Sequence, residues 1–461
     1  MLAIRKLSLV LLVGLFPAFY AGTLFASDGT PTPSLEMKET YLGKISPKTI
    51  VETVTMSADL RHVAFIDCNG DKKFVVTIDG QAGKEYKGIR AGIAFSADGL
   101  HSAYVATDGS KWFAVINGVE SPRYDEIGNV YFSPDSNHYA YAAKVGKYWV
   151  IVADGVQGKF GFDSIGCPIF SPDSLRMAYD GRMGKKTTLV VDGVLGKQYD
   201  QISWVTFSPD SAHIAYHAYY NDKWFAVQDG REGKMYQSVS GLFYSQDGDH
   251  IAYSAWNYSK RFLVVDGIEH HAYSSMKEWF MYYDPFSPDS QHTAYEVYDG
   301  VHSIMVVDGI EGKKYADIDH PIFSPDSTHL AYAAAIGKKA CVVVDGSELP
   351  LCDGVGEIAW HPLTLGLAYS ARVGDKARAI VDGVAGPLYD QVRGLTFSPY
   401  GSYIAYAADR GGKWMLVVNG VEYGEYSNYI TGSGVVFDTM NTFHVLMEKD
   451  GGIYLVEVRI P

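Results

Sequence analysis

The chain has 461 residues, 14% of them aromatic and 20% charged, with 34 Tyr, 48 Gly and a formal net charge of −14. This turn-rich, aromatic composition excludes a disordered chain, and the acidic balance argues against nucleic acid as a partner, because phosphate binding needs an electropositive footprint. The four cysteines, Cys68, Cys167, Cys341 and Cys352, include no C-x-x-C pair, which excludes a disulfide scaffold and a zinc or redox motif of that kind.

Residues 1–26 read as an export signal, with Arg5 and Lys6 ahead of the uncharged apolar stretch 7–19 and cleavage near Ala26. Cleavage there predicts a periplasmic or secreted protein with no membrane span. The alternative is an N-terminal membrane anchor, since residues 7–25 carry no charge and approach the minimum length of a span. Residues 27–38 read as a linker.

From there the chain is a repeat. Phe-Ser-Pro-Asp-Ser stands at 132–136, 170–174, 207–211, 286–290 and 323–327, with degenerate copies starting at Phe95, Tyr244, Trp360 and Phe397. Ala-Tyr follows, as at Ala140-Tyr141, Ala215-Tyr216 and Ala405-Tyr406. Then comes Asp-Gly or Asn-Gly, beginning at Asp79, Asn117, Asp154, Asp192, Asp229, Asp266, Asp308, Asp345, Asp382 and Asn419. The period is 37 or 38 residues in most copies, and a degraded eleventh copy spans 437–458.

Each repeat predicts four short strands. In the copy from Tyr199 to Gly230, the strands are Tyr-Asp-Gln-Ile, then 203–207, 213–218 and 223–227, and Asp229-Gly230 supplies the positive φ that a hairpin turn needs. Ile214-Ala215-Tyr216 is uncharged on both faces, so each sheet must be covered from both sides. Radially packed blades do this and leave only short edges. The fold class is all-β, a β-propeller of about eleven four-stranded repeats.

The Phe-Ser-Pro-Asp-Ser turn and the Ala-Tyr strand after it resemble the WD40-like propeller repeats of the TolB-like superfamily, over about residues 40–458. The resemblance implies architecture and says little about function. The chain lacks the separate N-terminal α/β domain of TolB itself, and it holds no Gly-x-Ser-x-Gly elbow. The eleventh repeat ends without its last strand, and residues 39–45 match the missing piece, so the N-terminal strand is expected to complete the C-terminal blade. Eleven blades exceed the usual range. Two arrangements therefore stand open: one large ring, or two tandem propellers of about six and five blades, residues 39–276 and 277–461, with the long insertion between Asp266 and Ala294 as the junction.

Residues at the same register in every repeat read as framework, so function is sought where the repeat breaks. The Ser-Pro-Asp and Asp-Gly turns are predicted on one face of the ring, and the more variable loops on the other. That second face carries a cation in most repeats: Lys72, Lys111, Lys147, Lys185, Lys223, Lys260, Lys338, Arg372 and Lys413. These read either as solvated turn ends or as a basic ring for an anionic ligand. Repeats five to seven add an aromatic group of Trp204, Tyr219, Tyr220, Trp256, Tyr258, Trp279, Phe280, Tyr282 and Tyr283, a platform of the kind that binds sugars, Pro-rich peptides or proteins. Cys341 and Cys352 flank the turn at Asp345, and a four-residue loop there would place them opposite each other as a cross-strand disulfide.

No motif for a metal, a cofactor or catalytic residues stands out. The expectation is a non-catalytic extracytoplasmic binding or scaffold protein whose variable face holds a protein, peptide or glycan. The alternative is a glycoside hydrolase- or lyase-like enzyme with its site in the central channel, drawing on Glu357, Asp319, His320, His361 and Arg393.

Overall fold

The computed structural model describes residues 34–70, 73–258, 260–273, 275–276, 284–430 and 432–461. The expected signal at 1–26, the start of the linker, and Trp279, Phe280, Tyr282 and Tyr283 lie outside the described residues.

Eleven small antiparallel sheets form an eleven-bladed β-propeller. Blade 5 is typical. Its strands are Gln201–Phe207, Ile214–Tyr220, Lys223–Gln228 and Arg231–Glu232, hydrogen-bonded in chain order. First strands of neighbouring blades approach one another, which puts them beside the axis. This blade corrects the strand boundaries read from the sequence. Tyr-Asp-Gln-Ile is not a strand of its own: Tyr199 ends the outer strand of blade 4, Val194–Tyr199, and Gln201 begins blade 5. The pairing of the first strand shifts register between Ser203 and Thr206. Such a bulge takes up the extra residues without ending the strand. The hairpin at Asp229-Gly230, with φ of 48° and 78°, joins the third strand to the fourth within one blade.

Alternate residues of each second strand serve two different cores. Tyr216 and Ala218 pack toward blade 4, while Ala215 packs toward blade 6. Among the described residues, eleven such clusters occupy the interfaces around the ring. Two of them decide between the arrangements left open by the sequence. Ala252, Leu263 and Tyr273 of blade 6 pack with Phe286, Tyr295 and Val297 of blade 7. Leu446, Ile453 and Leu455 of blade 11 pack with Val63 and Phe65 of blade 1. Blade 6 therefore continues into blade 7, and blade 11 closes on blade 1, as a single ring.

The closing strand is the N-terminal one. Glu36–Lys44 pairs antiparallel with Gly452–Arg459, from Glu36 opposite Arg459 to Lys44 opposite Gly452. Its Glu39 accepts the Tyr426 hydroxyl at 3.1 Å, as Glu120, Glu232 and Glu422 accept Tyr86, Tyr199 and Tyr389 from the blade before.

The Ser-Pro-Asp-Ser turn forms a belt between blades. Ser133 Oγ donates to Asp135 and accepts from the His138 backbone, closing the turn. The last Ser, at φ near 65°, accepts the backbone N–H of the Asp one blade earlier: Asp98 to Ser136, Asp135 to Ser174, Asp173 to Ser211, Asp247 to Ser290, and Asp289 to Ser327, at 2.9 to 3.1 Å.

Removing residues 34–45 leaves Gly452–Arg459 as an unpaired edge beside an uncovered apolar face. The truncated chain is expected to self-associate in light scattering and to melt at a lower temperature, with rescue by a peptide of residues 34–46. A truncated chain that stays monomeric with an unchanged melting temperature would rule this closure out.

Candidate functional site

The two faces of the ring are held by different polar clasps. On the Ser-Pro-Asp face a histidine recurs that the sequence reading passed over, although its fixed offset of five residues from the turn Ser was a visible signal. His62, His138, His213, His250, His292 and His329 each set Nδ1 against the hairpin Asp of their own blade, Asp79, Asp154, Asp229, Asp266, Asp308 and Asp345. Arg176 does the same with Asp192. These pairs tie the two turns of a blade together and place both on one face, as expected. Bonding to Asp266 raises the pKa of His250.

On the opposite face the clasp is an Asp that opens a blade. Asp163 accepts the backbone N–H of Gly184, and Asp353 that of Gly374, at 2.7 and 2.8 Å. Asp125 and Asp390 do likewise for Gly146 and Gly411. Each of these glycines turns the second-to-third-strand hairpin at φ between 61° and 66°. Three of these carboxylates, Asp125, Asp353 and Asp390, also bind a lysine, and other acids do the same in further blades, mostly at lysines one or more residues beyond those singled out in the sequence. Seven third strands begin with Lys. Lys73 pairs with Glu85, Lys186 with Asp200, Lys339 with Asp353, Lys376 with Asp390, and Lys413 with Glu425, while Lys111 pairs with Asp125. Of the cations singled out in the sequence, Lys111 and Lys413 are clasped, Lys72 lies outside the described residues, and Lys147, Lys185, Lys223, Lys260 and Lys338 have no acidic partner among the described residues.

Blades 5 and 6 depart from this scheme. In blade 6 the hairpin position held elsewhere by Gly146, Gly184, Gly337 and Gly374 is Tyr258, at φ 56° and 81% exposed. A left-handed conformation costs a residue other than glycine about 1–2 kcal/mol. Two side chains hold it there: Gln237 accepts the Tyr258 N–H, and the indole N–H of Trp256 donates to the Tyr258 carbonyl. Trp256 is 41% exposed, and Arg261 lies 5.1 Å from its ring centre. In blade 5, Tyr219 takes the place of Trp256. It packs on Trp224 at 5.1 Å and donates its hydroxyl to Asp222, and Tyr220 meets the Lys186 ammonium at 4.9 Å.

Trp204 lies apart from these, in the first-strand bulge of blade 5, three residues along from Gln201, the strand partner of Tyr219. It is 40% exposed and also left-handed, at φ 54°. Gly92, Gly241 and Gly394 hold the same place in blades 2, 6 and 10, with φ of 109°, 60° and 66°. The described part of the aromatic group is therefore a rim set, Tyr219, Tyr220, Trp256 and Tyr258, and a separate channel-wall residue, Trp204.

No protein-family model matches the chain, and no curated protein matches it significantly. Among solved structures it is similar to a eukaryotic initiation factor, with a TM-score of 0.41 and 11% identity over 68% of this chain and 90% of that one. It is also similar to the hydrazine synthase of Kuenenia stuttgartiensis, with a TM-score of 0.29 and 11% identity over 70% of this chain and 99% of that one. A third similar structure is TolB from Acinetobacter baumannii, with a TM-score of 0.25 and 14% identity over 64% and 77%. None of these likenesses speaks to ligand or reaction.

Two of the channel candidates are engaged by backbone N–H groups. The Glu357 carboxylate accepts the backbone N–H groups of Gly394 and Leu395 in the next blade, at 3.1 and 2.7 Å. His361 is not beside the channel. It replaces the turn Ser, is buried, and accepts the N–H groups of Leu363 and Thr364 through Nδ1 at 3.1 Å. Arg393 is exposed on the first strand of blade 10, and Asp319 lies on the first strand of blade 8, Asp317–Phe323. The expected Cys341–Cys352 pairing is corrected. Asp345-Gly346 is a two-residue turn, Val344 stands opposite Ser347, and the strand partner of Cys352 is Ala340. Cys341 then points into the core between blades 7 and 8, Cys352 lies against that between blades 8 and 9, and both thiols are free. Cys167 is exposed, and its sulfur accepts the Tyr131 hydroxyl at 2.9 Å.

Behind the channel wall the residue after the strand Tyr is apolar in most blades, as at Ile66, Val105, Ala142, Ala333, Ala407 and Leu446. In blades 4 to 7 it is Asp180, His217, Ser254 and Glu296, and in blade 9 Ser370. Desolvation raises the pKa of Asp180. His217 is fully buried, with its ring edge-on to Tyr253 at 5.9 Å and neither nitrogen hydrogen-bonded. Burial pushes its pKa down to about 3. The unfolded chain therefore binds the proton more tightly, and the stability present above pH 6.5 is lost as the pH falls from there toward 3. In urea titrations at pH 7 and pH 5, the wild type is expected to lose about 2 kcal/mol more than His217→Leu. Equal losses would contradict the burial of a neutral ring.

Proposed function

We propose that this protein is a non-catalytic, extracytoplasmic binding protein, and that its ligand is held by the exposed aromatics of blades 5 and 6. One observation carries the reading. Tyr258 and Trp204 occupy left-handed backbone positions that several other blades give to glycine. Two neighbouring blades thus bear backbone strain under an exposed aromatic ring, and such strain persists where the surrounding structure enforces it. Exposed, rigid aromatic faces bind sugar rings and peptide side chains at low entropic cost. The propeller supports a binding or scaffold role in general, with ligand contacts on the varied face of a rigid ring. The N-terminal sequence supports export: Arg5 and Lys6, the apolar stretch 7–19, and Ala26. The channel-enzyme reading is weakened because Glu357 and His361 are engaged in backbone hydrogen bonds.

The test sets stability against binding. Trp204→Gly and Tyr258→Gly are each expected to stabilise the fold by roughly 0.5–1 kcal/mol in urea titrations, since the strain outweighs the added freedom of the unfolded chain. Screened against glycan and peptide arrays, Tyr258→Gly and Trp256→Ala are expected to lose the ligand that the parent protein captures. Full retention by both would move the site away from this rim.

A further inference from the structure

The ring of third-strand lysines is neutralised in every blade that carries one except two, and these are the two that bear the aromatic rim. Lys73, Lys186, Lys339, Lys376 and Lys413 each meet a carboxylate. Lys223 and Lys260 begin the third strands of blades 5 and 6 and have no acidic partner among the described residues. The cause lies in the sequence. Tyr124, Phe162, Tyr199, Cys352 and Tyr389 are each followed by Asp, the clasp of the next blade, whereas Tyr236 is followed by Gln237 and Tyr273 by Ser274. Gln237 still performs the Asp's other task, accepting the hairpin N–H of Tyr258, but brings no charge. The substitution thus keeps the fold's hydrogen bond and removes the lysine's counter-charge.

The two blades present the same pair of groups. Tyr219 and Trp256 hold one strand position, opposite Trp224 and Arg261, and Lys223 and Lys260 hold another. Each of these two blades therefore carries an aromatic, half-buried at Tyr219 and exposed at Trp256, and a third-strand lysine one strand position away with no acidic partner among the described residues. Asp222 is the nearby acid on this rim, and it accepts the Tyr219 hydroxyl at 3.2 Å. A repeated site suits a repeating ligand. A chain of sugar rings offers a flat C–H face to each aromatic and, where the sugars are acidic, a carboxylate or sulfate to each lysine.

Resting on the binding role proposed above, we infer that the rim of blades 5 and 6 takes an acidic glycan, with Lys223 and Lys260 as its anion contacts and Tyr219, Trp256 and Tyr258 as its stacking faces. The strands that carry the lysines are the same in blades 4, 8 and 9, where an Asp occupies the cation, so specificity arises from a missing carboxylate and needs no added residue.

The probes are polygalacturonate, alginate and hyaluronate fragments, methyl-esterified polygalacturonate as the same backbone without charge, and poly-glutamate as charge without sugar. At least one acidic glycan is expected to bind the full-length protein, more weakly as salt rises from about 50 to about 500 mM. Lys223→Gln and Lys260→Gln are each expected to weaken it about fivefold. Gln237→Asp, which gives Lys223 the partner its counterparts have, is expected to weaken it similarly with the fold intact. Failure of all three acidic glycans, or equal binding of the methyl ester, overturns the inference. Binding of poly-glutamate in their place overturns the glycan and assigns the lysines to an acidic peptide. A ligand lost in Trp256→Ala but unaffected by either lysine variant overturns the anion contacts and leaves the aromatic site standing.

Discussion

Every blade of this protein depends on having a neighbour on each side. The second strands are apolar in both directions, so Tyr216 and Ala218 need blade 4 while Ala215 needs blade 6. A stack of such sheets ends in two exposed apolar faces unless it closes on itself. Closure falls to one interface, where Leu446, Ile453 and Leu455 meet Val63 and Phe65, and to one strand, Glu36–Lys44, brought from the far end of the chain. The ring joins the first described strand to the last and makes the stability of each blade a property of the whole.

The apolar demand inside the blades pushes polar chemistry to their ends, where it forms one belt on each face. The Ser-Pro-Asp-Ser turns link blade to blade through a serine hydroxyl, and histidines clip the two turns of six blades together. On the other face an aspartate takes a hairpin N–H and a lysine at once, as Asp390 does with Gly411 and Lys376. Both belts consume many of the charges that compose them. A third-strand lysine that escapes its clasp is therefore informative, and Lys223 and Lys260 do so in the two blades that also bear Trp204 and Tyr258.

The same comparison separates framework from site in the channel. Glu357, the carboxylate with the most suggestive position, bridges two first strands by accepting two N–H groups, so it holds the wall. His217 has no such bond to explain it, and it sits one layer behind Trp204 in the same blade, where six of the other blades place an aliphatic side chain. Polar residues fill that layer in blades 4 to 7, and again at Ser370 in blade 9.

The repeat, the strand count, the hairpin turns and the closing strand were legible in the amino-acid sequence by itself, because each rests on local rules: alternating burial along a strand, positive φ at Asp-Gly, and recurrence at a fixed spacing. The aromatic departures in repeats five and six were legible for the same reason. The sequence could not say that the ring is single, that Cys352 faces Ala340, or which carboxylate neutralises which lysine, since these join residues of different blades or turn on a one-residue register that only the packed hairpin settles. Nor could it show that Trp204 and Tyr258 stand at glycine's backbone angles. That conformation runs against the local preference of both residues and is imposed by tertiary contacts, which for Tyr258 are the hydrogen bonds to Gln237 and Trp256.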